Sequence, residues 1–383
     1  MKIILLSDVH LLENKPVSRL DDTANTVFRK LTQVFSYARK EGVHCILQAG
    51  DLFDVSRSWS LLSRCLGYFL SNSDVPVYCV YGQHDLYMGS WESRERTILG
   101  SLDKAGLVGI LGPEGVIIGE SVVFGSSYGQ GIPKIPASLD FCGCAILVVH
   151  RRIAVDPEWY GDVDYQDARD FLRKHSQFDL ILCGDAHQAF LYQGNGRTIC
   201  NAGPMLRREA VESMFKHNPQ FFVYDTSVRD IVDVVPLDCE SADVVLSREN
   251  YSKQVRLRLD EFVKGLDKVR LRGVGFSFMD NLLRYMEDNE IGEELRKLIL
   301  EIVEGGSHGE TRYSGSGDNQ KITSSDRGEE GGLEPTEGRG AAVNGSAWKV
   351  RTHRFEERRK AIGRSKARSR QAGKEAQGND CQN

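Results

Sequence analysis

Long apolar runs are the first thing this 383-residue chain lacks. No stretch approaches the roughly 18–20 apolar residues of a membrane-crossing helix. The opening MKIILLSDVH has too short an apolar run, and no cleavage site, for a secretory leader. Paired-cysteine spacing is missing too. Nine cysteines are scattered from position 45 to 381 without a CxxC, several inside apolar stretches such as DLILCGD around Cys183. That speaks against a disulfide or thiolate-zinc framework and for buried free thiols in a reducing compartment. The expectation is a soluble, cytoplasmic protein with no membrane partner. A large net charge is also absent, the balance being −5, but the charge is unevenly spread. Between Lys349 and Lys374 eleven Lys or Arg stand against two Glu. An acidic body with a basic tail points to nucleic acid or another polyanion.

What is present, through the first 235 residues, is a series of short Val/Ile/Leu-rich runs that stop at polar punctuation. Lys2–Leu6 precedes Ser7-Asp8-Val9-His10, Cys45–Gln48 precedes Gly50-Asp51, and Val75–Val80 precedes Gly82. Further on, Ala145–Val149 precedes His150 and Asp179–Cys183 precedes Gly184-Asp185. Runs of four to six such residues read as strands buried on both faces. Helical patterns lie between the early ones: Asp22–Glu41, with Phe28, Leu31, Val34, Phe35 and Ala38 on one face, and Trp59–Ser71. The alternation predicts an α/β core.

From residue 236 the texture changes. Residues 236–304 read as a small accessory module, with two amphipathic helices over Phe278–Val303 split near Asn289-Glu290-Ile291-Gly292. Residues 305–347, rich in Gly, Ser and Glu, read as a disordered linker, and 348–383 as a basic tail.

The chemistry-bearing residues fall just after the strand ends, where ligands gather in open α/β sheets. Asp8 and His10, two residues apart at a strand end, are expected to point to one side and reach one cation. Asp51 offers a carboxylate that can bridge two ions. Gln83, His84, Asp85, His150, Asp185 and His187 complete the set. Carboxylates, imidazoles and one amide carbonyl suit Mn²⁺, Fe²⁺ or Zn²⁺ better than a thiolate-selecting metal. A pair of such ions is the usual device for displacement at phosphorus. His44, His175 and His217 lie outside these motifs and read as structural or surface residues.

The order DxH, GDLFD, GxHD, H, GxxH resembles the calcineurin-like metallophosphoesterase superfamily over residues 1–235. Within it, Gly50-Asp51-Leu52-Phe53-Asp54 and the Asn201-Ala202-Gly203-Pro204 turn are most similar to the SbcD-like DNA nuclease subunits, phage-encoded relatives included. The resemblance implies a four-layer αββα sandwich and two divalent metals, with Mn²⁺ foremost and Mg²⁺, Fe²⁺ or Zn²⁺ as alternatives. It implies that Asp8, His10 and His187 hold the first ion, that Asp51 bridges, and that Gln83, His150 and Asp185 complete the second site. His84 would be the transition-state histidine with Asp85 orienting its ring, and Asp54 a supporting residue behind the ligands. Arg151, Arg152, Arg207 and Arg208 flank these loops as candidate DNA-backbone contacts.

Two positions depart from the family pattern, Gln83 for Asn and Asp185 for His. Gln reaches about 1.5 Å further, one C–C bond, while Asp is a shorter, charged oxygen donor. The two changes compensate in length and enrich the second site in hard oxygen, which favours Mn²⁺ or Mg²⁺. The site reads as retuned rather than dead. The function implied is a Mn²⁺-dependent DNA exo- or endonuclease in repair, recombination or phage DNA processing. DNA, an SbcC-type ATPase and a second copy of the chain are the implied partners, in a prokaryotic or phage-infected cytoplasm. The same motifs also admit an enzyme for a small phosphoester or nucleotide. A third reading is a catalytically weakened subunit that binds DNA or an ATPase, docking through the Phe278–Val303 helices.

Overall fold

A computed structural model describes residues 1–155, 165–257, 278–288 and 291–305. Two six-stranded sheets dominate it. The first runs, in spatial order, β14 (Asp230–Pro236), β13 (Gln220–Asp225), β1 (Lys2–Leu6), β2 (Cys45–Gln48), β3 (Val77–Cys79) and β4 (Gly109–Ile110). The second runs β11 (Phe190–Gly194), β12 (Arg197–Asn201), β10 (Leu180–Asp185), β7 (Ala145–Arg151), β6 (Ser121–Ser126) and β5 (Val116–Ile118). A two-stranded ribbon, β8 (Ile153–Ala154) with β9 (Gln166–Asp167), stands apart. The strands that carry motifs are parallel within each sheet: β1 to β2 to β3, and β7 to β10. Their carboxyl ends therefore share one edge.

The apolar runs bury both faces by strict alternation. Ile3 and Leu5 of β1, with Cys45 and Leu47 of β2, pack against Ile146 and Val148 of β7 and Leu180 and Leu182 of β10. That layer lies between the sheets. Ile4, Leu6 and Ile46 point the other way, into a core with the helices α1 (Thr23–Lys40), α2 (Trp59–Ser71) and α3 (Ile98–Lys104). On the far side Leu147, Val149, Ile181 and Cys183 meet Phe171 and Leu172 of α4 (Ala168–Lys174). Helix, sheet, sheet, helix: the four-layer αββα sandwich is present. Local signals agree. Asp22 caps α1 by accepting from the Asn25 N–H, Arg39 and Lys40 sit at its negative end, and the face Val27, Phe28, Leu31, Val34, Phe35 and Ala38 is buried as the spacing predicts.

β14, the last strand of the first sheet in chain order, ends at Pro236. Beyond it the described residues form helices at Ala242–Val245, 248–257, Phe278–Asp288 and Glu293–Gly305. Of the split expected near Asn289–Gly292, residues 289 and 290 lie outside the described residues. Val255, Leu282, Met286, Leu295 and Ile299 form a core among these helices. Ala242, Val245 and Leu246 pack on Ala210, Val211 and Met214, which ties the segment to the sandwich. The linker and tail expected over 305–383 lie outside the described residues, apart from Gly305. No described helix is long and apolar enough to cross a membrane. The eight described cysteines are free, six of them buried.

Candidate metal centre

Asp8 and His10 do converge, but not by strand alternation. β1 has already ended, and both residues adopt left-handed backbone, φ 44° and 49°. Asp51 (φ 53°) and Asp185 (φ 82°) do the same. Four of the seven described non-glycine residues with positive φ are thus candidate ligands. A non-glycine residue there costs of order 1 kcal/mol or more and persists only where its surroundings enforce it. Here the enforcement is a set of loop-to-loop bonds. His10 N donates to Asp51 O (3.0 Å), Leu11 N to Leu52 O (2.8 Å) and Met205 N to Asp8 O (3.2 Å). Asp185 N donates to Asp8 Oδ1 (3.0 Å). The glycines before Asp51 and Gln83 have a steric reason. A Cβ at Gly82 would collide with the backbone and carboxylate of Asp51, and one at Gly50 with the ring of His150.

The side chains fall into two groups. In the first, the Nε2 atoms of His10 and His187 face each other at 3.2 Å, with Asp8 Oδ1 3.9 Å from His187 Nε2. In the second, His150 Nε2 lies 2.6 Å from Gln83 Oε1. Asp51 Oδ2 stands between the groups, 3.9 Å from His10 Nε2 and 3.6 Å from His150 Nε2. Ligand atoms of Asp8, His10 and His187, and of Asp8, Asp51 and His150, come within 4.8 Å of one another. Asp8, His10, Asp51 and His150 are buried.

The donors fit cations. Asp8 Oδ2 and Asp51 Oδ2 are buried and accept no hydrogen bond, a costly state for a carboxylate oxygen unless a positive charge answers it. Burial pushes the Asp8 carboxyl well above the usual carboxylate range, and raises that of Asp51 as well. Burial, then the Arg208 guanidinium, holds the His10 imidazole well below its ordinary value, so the ring is neutral as ligation requires. His150 Nδ1 donates to Ala49 O (2.7 Å), which fixes the ring with Nε2 turned into the centre. Nε2 faces the Gln83 amide oxygen at 2.6 Å, so that ring and amide would offer both atoms to one cation.

The other expected residues divide. Asp85 does not orient the His84 ring. Its buried carboxylate accepts from the main-chain N–H groups of Gly82 (2.9 Å), Phe53 (2.9 Å) and Leu52 (3.3 Å), clasping two loops. The His84 ring is held instead by Asp54 O, which accepts from Nδ1 at 3.2 Å. The Asp54 side chain pairs with Arg208 and lies 3.6 Å from His10 Nδ1. Asp185 accepts from the Gln83 amide (Nε2 to Oδ1, 3.1 Å) and faces Arg152 Nε at 3.5 Å. Arg208 Nη1 lies 3.0 Å from His10 Nδ1, which makes it part of the centre rather than of a distant strand-binding face. Arg207 is no backbone contact: it is buried and donates to His217 O, Glu240 O and Asn218 Oδ1. Arg151 donates to Gln130 O at 3.0 Å. His217 donates to Pro204 O, a structural role as expected.

The motifs assign no role to Ser7, and none to Asn201 beyond its place in the Asn201–Pro204 turn. Ser7 Oγ joins Cys183 O to Ala202 N, and Asn201 joins Ala186 O to Gly203 N, bracing the loops of Asp8 and His187. Single polar residues at strand ends carry no signal that separates them from ordinary caps.

Residues 1–189 match the calcineurin-like phosphoesterase family. Over 237 residues the chain is 28% identical to the double-strand break repair protein MRE11 of Encephalitozoon cuniculi, covering 51% of this chain and 40% of that protein. It therefore spans less than half the length of that curated relative. Among solved structures it is similar to an archaeal phosphodiesterase, at 14% identity and a TM-score of 0.35 over 62% of this chain and 100% of the other. A protein of Thermus thermophilus gives 10% identity and a TM-score of 0.41 over 62% and 99%.

Proposed function

We propose, from the match of residues 1–189 to the calcineurin-like phosphoesterase family, that the chain is a two-metal phosphodiesterase and, more narrowly, a Mn²⁺-dependent DNA nuclease of SbcD type. The observation that carries the hydrolytic reading is the pair of buried carboxylate oxygens, Asp8 Oδ2 and Asp51 Oδ2, that accept no hydrogen bond amid the imidazoles of His10, His187 and His150 and the Gln83 amide. Asp8, His10, His187 and Asp51 would hold one ion, and Asp51, His150 and Gln83 the other. When bound, such ions supply Lewis acidity at phosphorus and a water acidic enough to attack. The chain's own residues do the rest. Asp54 O holds the Nδ1–H of His84 and so turns Nε2 outward; with a second proton on Nε2, the imidazolium would give that proton to the leaving oxygen or steady its charge. Arg208 and Arg152 bring positive charge to the two sides of the site, suited to a phosphodiester anion.

The nuclease refinement rests on the MRE11 similarity, on the GDLFD run and on the basic segment 349–374. Work in DNA repair, recombination or phage DNA processing, an SbcC-type ATPase partner and a homodimer belong to the same proposal. The experiment is nucleotide release from labelled linear single- and double-stranded DNA with Mn²⁺, Mg²⁺ or chelator, comparing wild type with His84→Ala. Metal-dependent cleavage that the variant loses is expected. A folded protein that cleaves neither DNA but hydrolyses a small phosphoester would keep the chemistry and overturn the substrate. No hydrolysis with any metal would leave the weakened binding subunit.

A further inference from the structure

We propose that Asp185 is a positioning residue, not a metal ligand: it sets the Gln83 amide so that its oxygen faces the second ion, and it holds Arg152 beside the site. The inference rests on the two-metal reading above.

The carboxylates of Asp8, Asp51 and Asp185 reach the centre, and they differ in what their oxygens touch. Asp8 Oδ2 and Asp51 Oδ2 accept no hydrogen bond. Asp185 is engaged on both sides, Oδ1 by Gln83 Nε2 at 3.1 Å and Oδ2 by Arg152 Nε at 3.5 Å. Its ligand atoms join neither of the two close groups. A carboxylate can only accept, so the amide must turn its NH₂ toward Asp185. Its oxygen then occupies the opposite end, 2.6 Å from His150 Nε2. The flipped amide would set oxygen against the Asp185 carboxylate and offer NH₂ to His150 as an ordinary hydrogen bond. No oxygen would then be left for a cation. Asp185 excludes that alternative.

The family pattern has a neutral imidazole at position 185. A lone carboxylate there would add a negative charge. Arg152 cancels it, so the pair Asp185–Arg152 is a charge-neutral replacement, and the second site keeps the donor set Gln83, His150 and Asp51.

The test is Mn²⁺ binding to the full chain, counted and titrated by calorimetry and by the loss of free-ion paramagnetic resonance signal, with Asp185→Asn, Asp185→Ala and Gln83→Ala. Wild type should bind two ions. Asp185→Asn keeps an oxygen that accepts from Gln83 and should bind two, the second within about threefold of wild type. Asp185→Ala frees the amide and should weaken the second ion about 10–100-fold, as loss of an orienting partner does. Gln83→Ala should bind one. If Asp185→Asn loses the second ion as fully as Gln83→Ala, Asp185 ligates and the inference is wrong. If neither Asp185 variant moves the second affinity, it is equally wrong. Wild type that is folded and binds fewer than two ions would instead bring down the two-metal reading, and this inference with it.

Discussion

The His84 ring is anchored by the main-chain carbonyl of Asp54, with Nδ1 to O at 3.2 Å, and not by the neighbouring Asp85. A carbonyl accepts whatever the pH, so the ring keeps one orientation, neutral or protonated, without help from any titrating partner. His84→Ala is expected to cut hydrolysis by about 10²–10⁴-fold, the usual worth of a positioned proton donor. Mn²⁺ stoichiometry should stay unchanged. Initial rates read beside a binding isotherm check both halves, and a rate within about tenfold of wild type, short of that range, would remove His84 from the mechanism.

Asp85 acts through the backbone. Asp85→Ala strands the N–H groups of Gly82, Leu52 and Phe53 in a buried setting. Each such donor costs about 1–3 kcal/mol, so unfolding free energy should fall by about 3 kcal/mol or more. Chemical denaturation of the metal-free protein measures it. An unchanged midpoint with lost activity would return Asp85 to the ring-orienting role.

Arg208 places a cation 3.0 Å from a ligand imidazole. Arg208→Met removes that repulsion and leaves Asp54 Oδ1, 3.6 Å from His10 Nδ1, as the ring's acceptor. Mn²⁺ should bind several-fold more tightly, by order-of-magnitude Coulomb reasoning, while turnover of a phosphodiester falls. Weaker binding in the titration would mean that Arg208 supports the site by packing.

Lys30 is buried and donates Nζ to Met205 O (2.9 Å), on the loop whose Met205 N binds Asp8 O. Burial lowers its amine from 10.5 to about 8. Between those values the unfolded chain keeps a proton that the folded chain has released, so stability rises with pH from about 8 to 10.5. The slope contributed is at most about 1.4 kcal/mol per pH unit. Denaturation midpoints across that window should climb more in wild type than in Lys30→Met, and parallel curves would refute the assignment.

The strand ends and the motif order carried most of this architecture in plain view. Alternation in β1, β2, β7 and β10 is legible because each strand feeds two apolar layers. The backbone device that joins Asp8 to His10 was not legible, since left-handed aspartate and histidine leave no mark in composition. Arg207 and Arg208 show the same limit. Adjacent and alike in sequence, one is sunk against His217 O and Glu240 O while the other reaches His10. Tertiary direction separates them, and periodicity holds no record of it. Asp54 and Asp85 exchanged their expected duties for a like reason: a main-chain carbonyl has no letter of its own.

The centre straddles a seam. Asp8, His10, Asp51, Gln83 and His84 follow strands of one sheet, and His150, Asp185 and His187 lie on or follow strands of the other. The distance between the two ligand sets is therefore gauged by the filling between the sheets, Ile3, Leu5, Leu47, Ile146, Val148, Leu180 and Leu182. Those side chains work as a shim. Leu182→Ala, beyond its usual cost of about 2–5 kcal/mol, lets one plate settle toward the other, and even a slight relaxation there is a misfit at the ions. A substitution deep in the apolar interior, touching no ligand, is in this molecule an alteration of its metal chemistry.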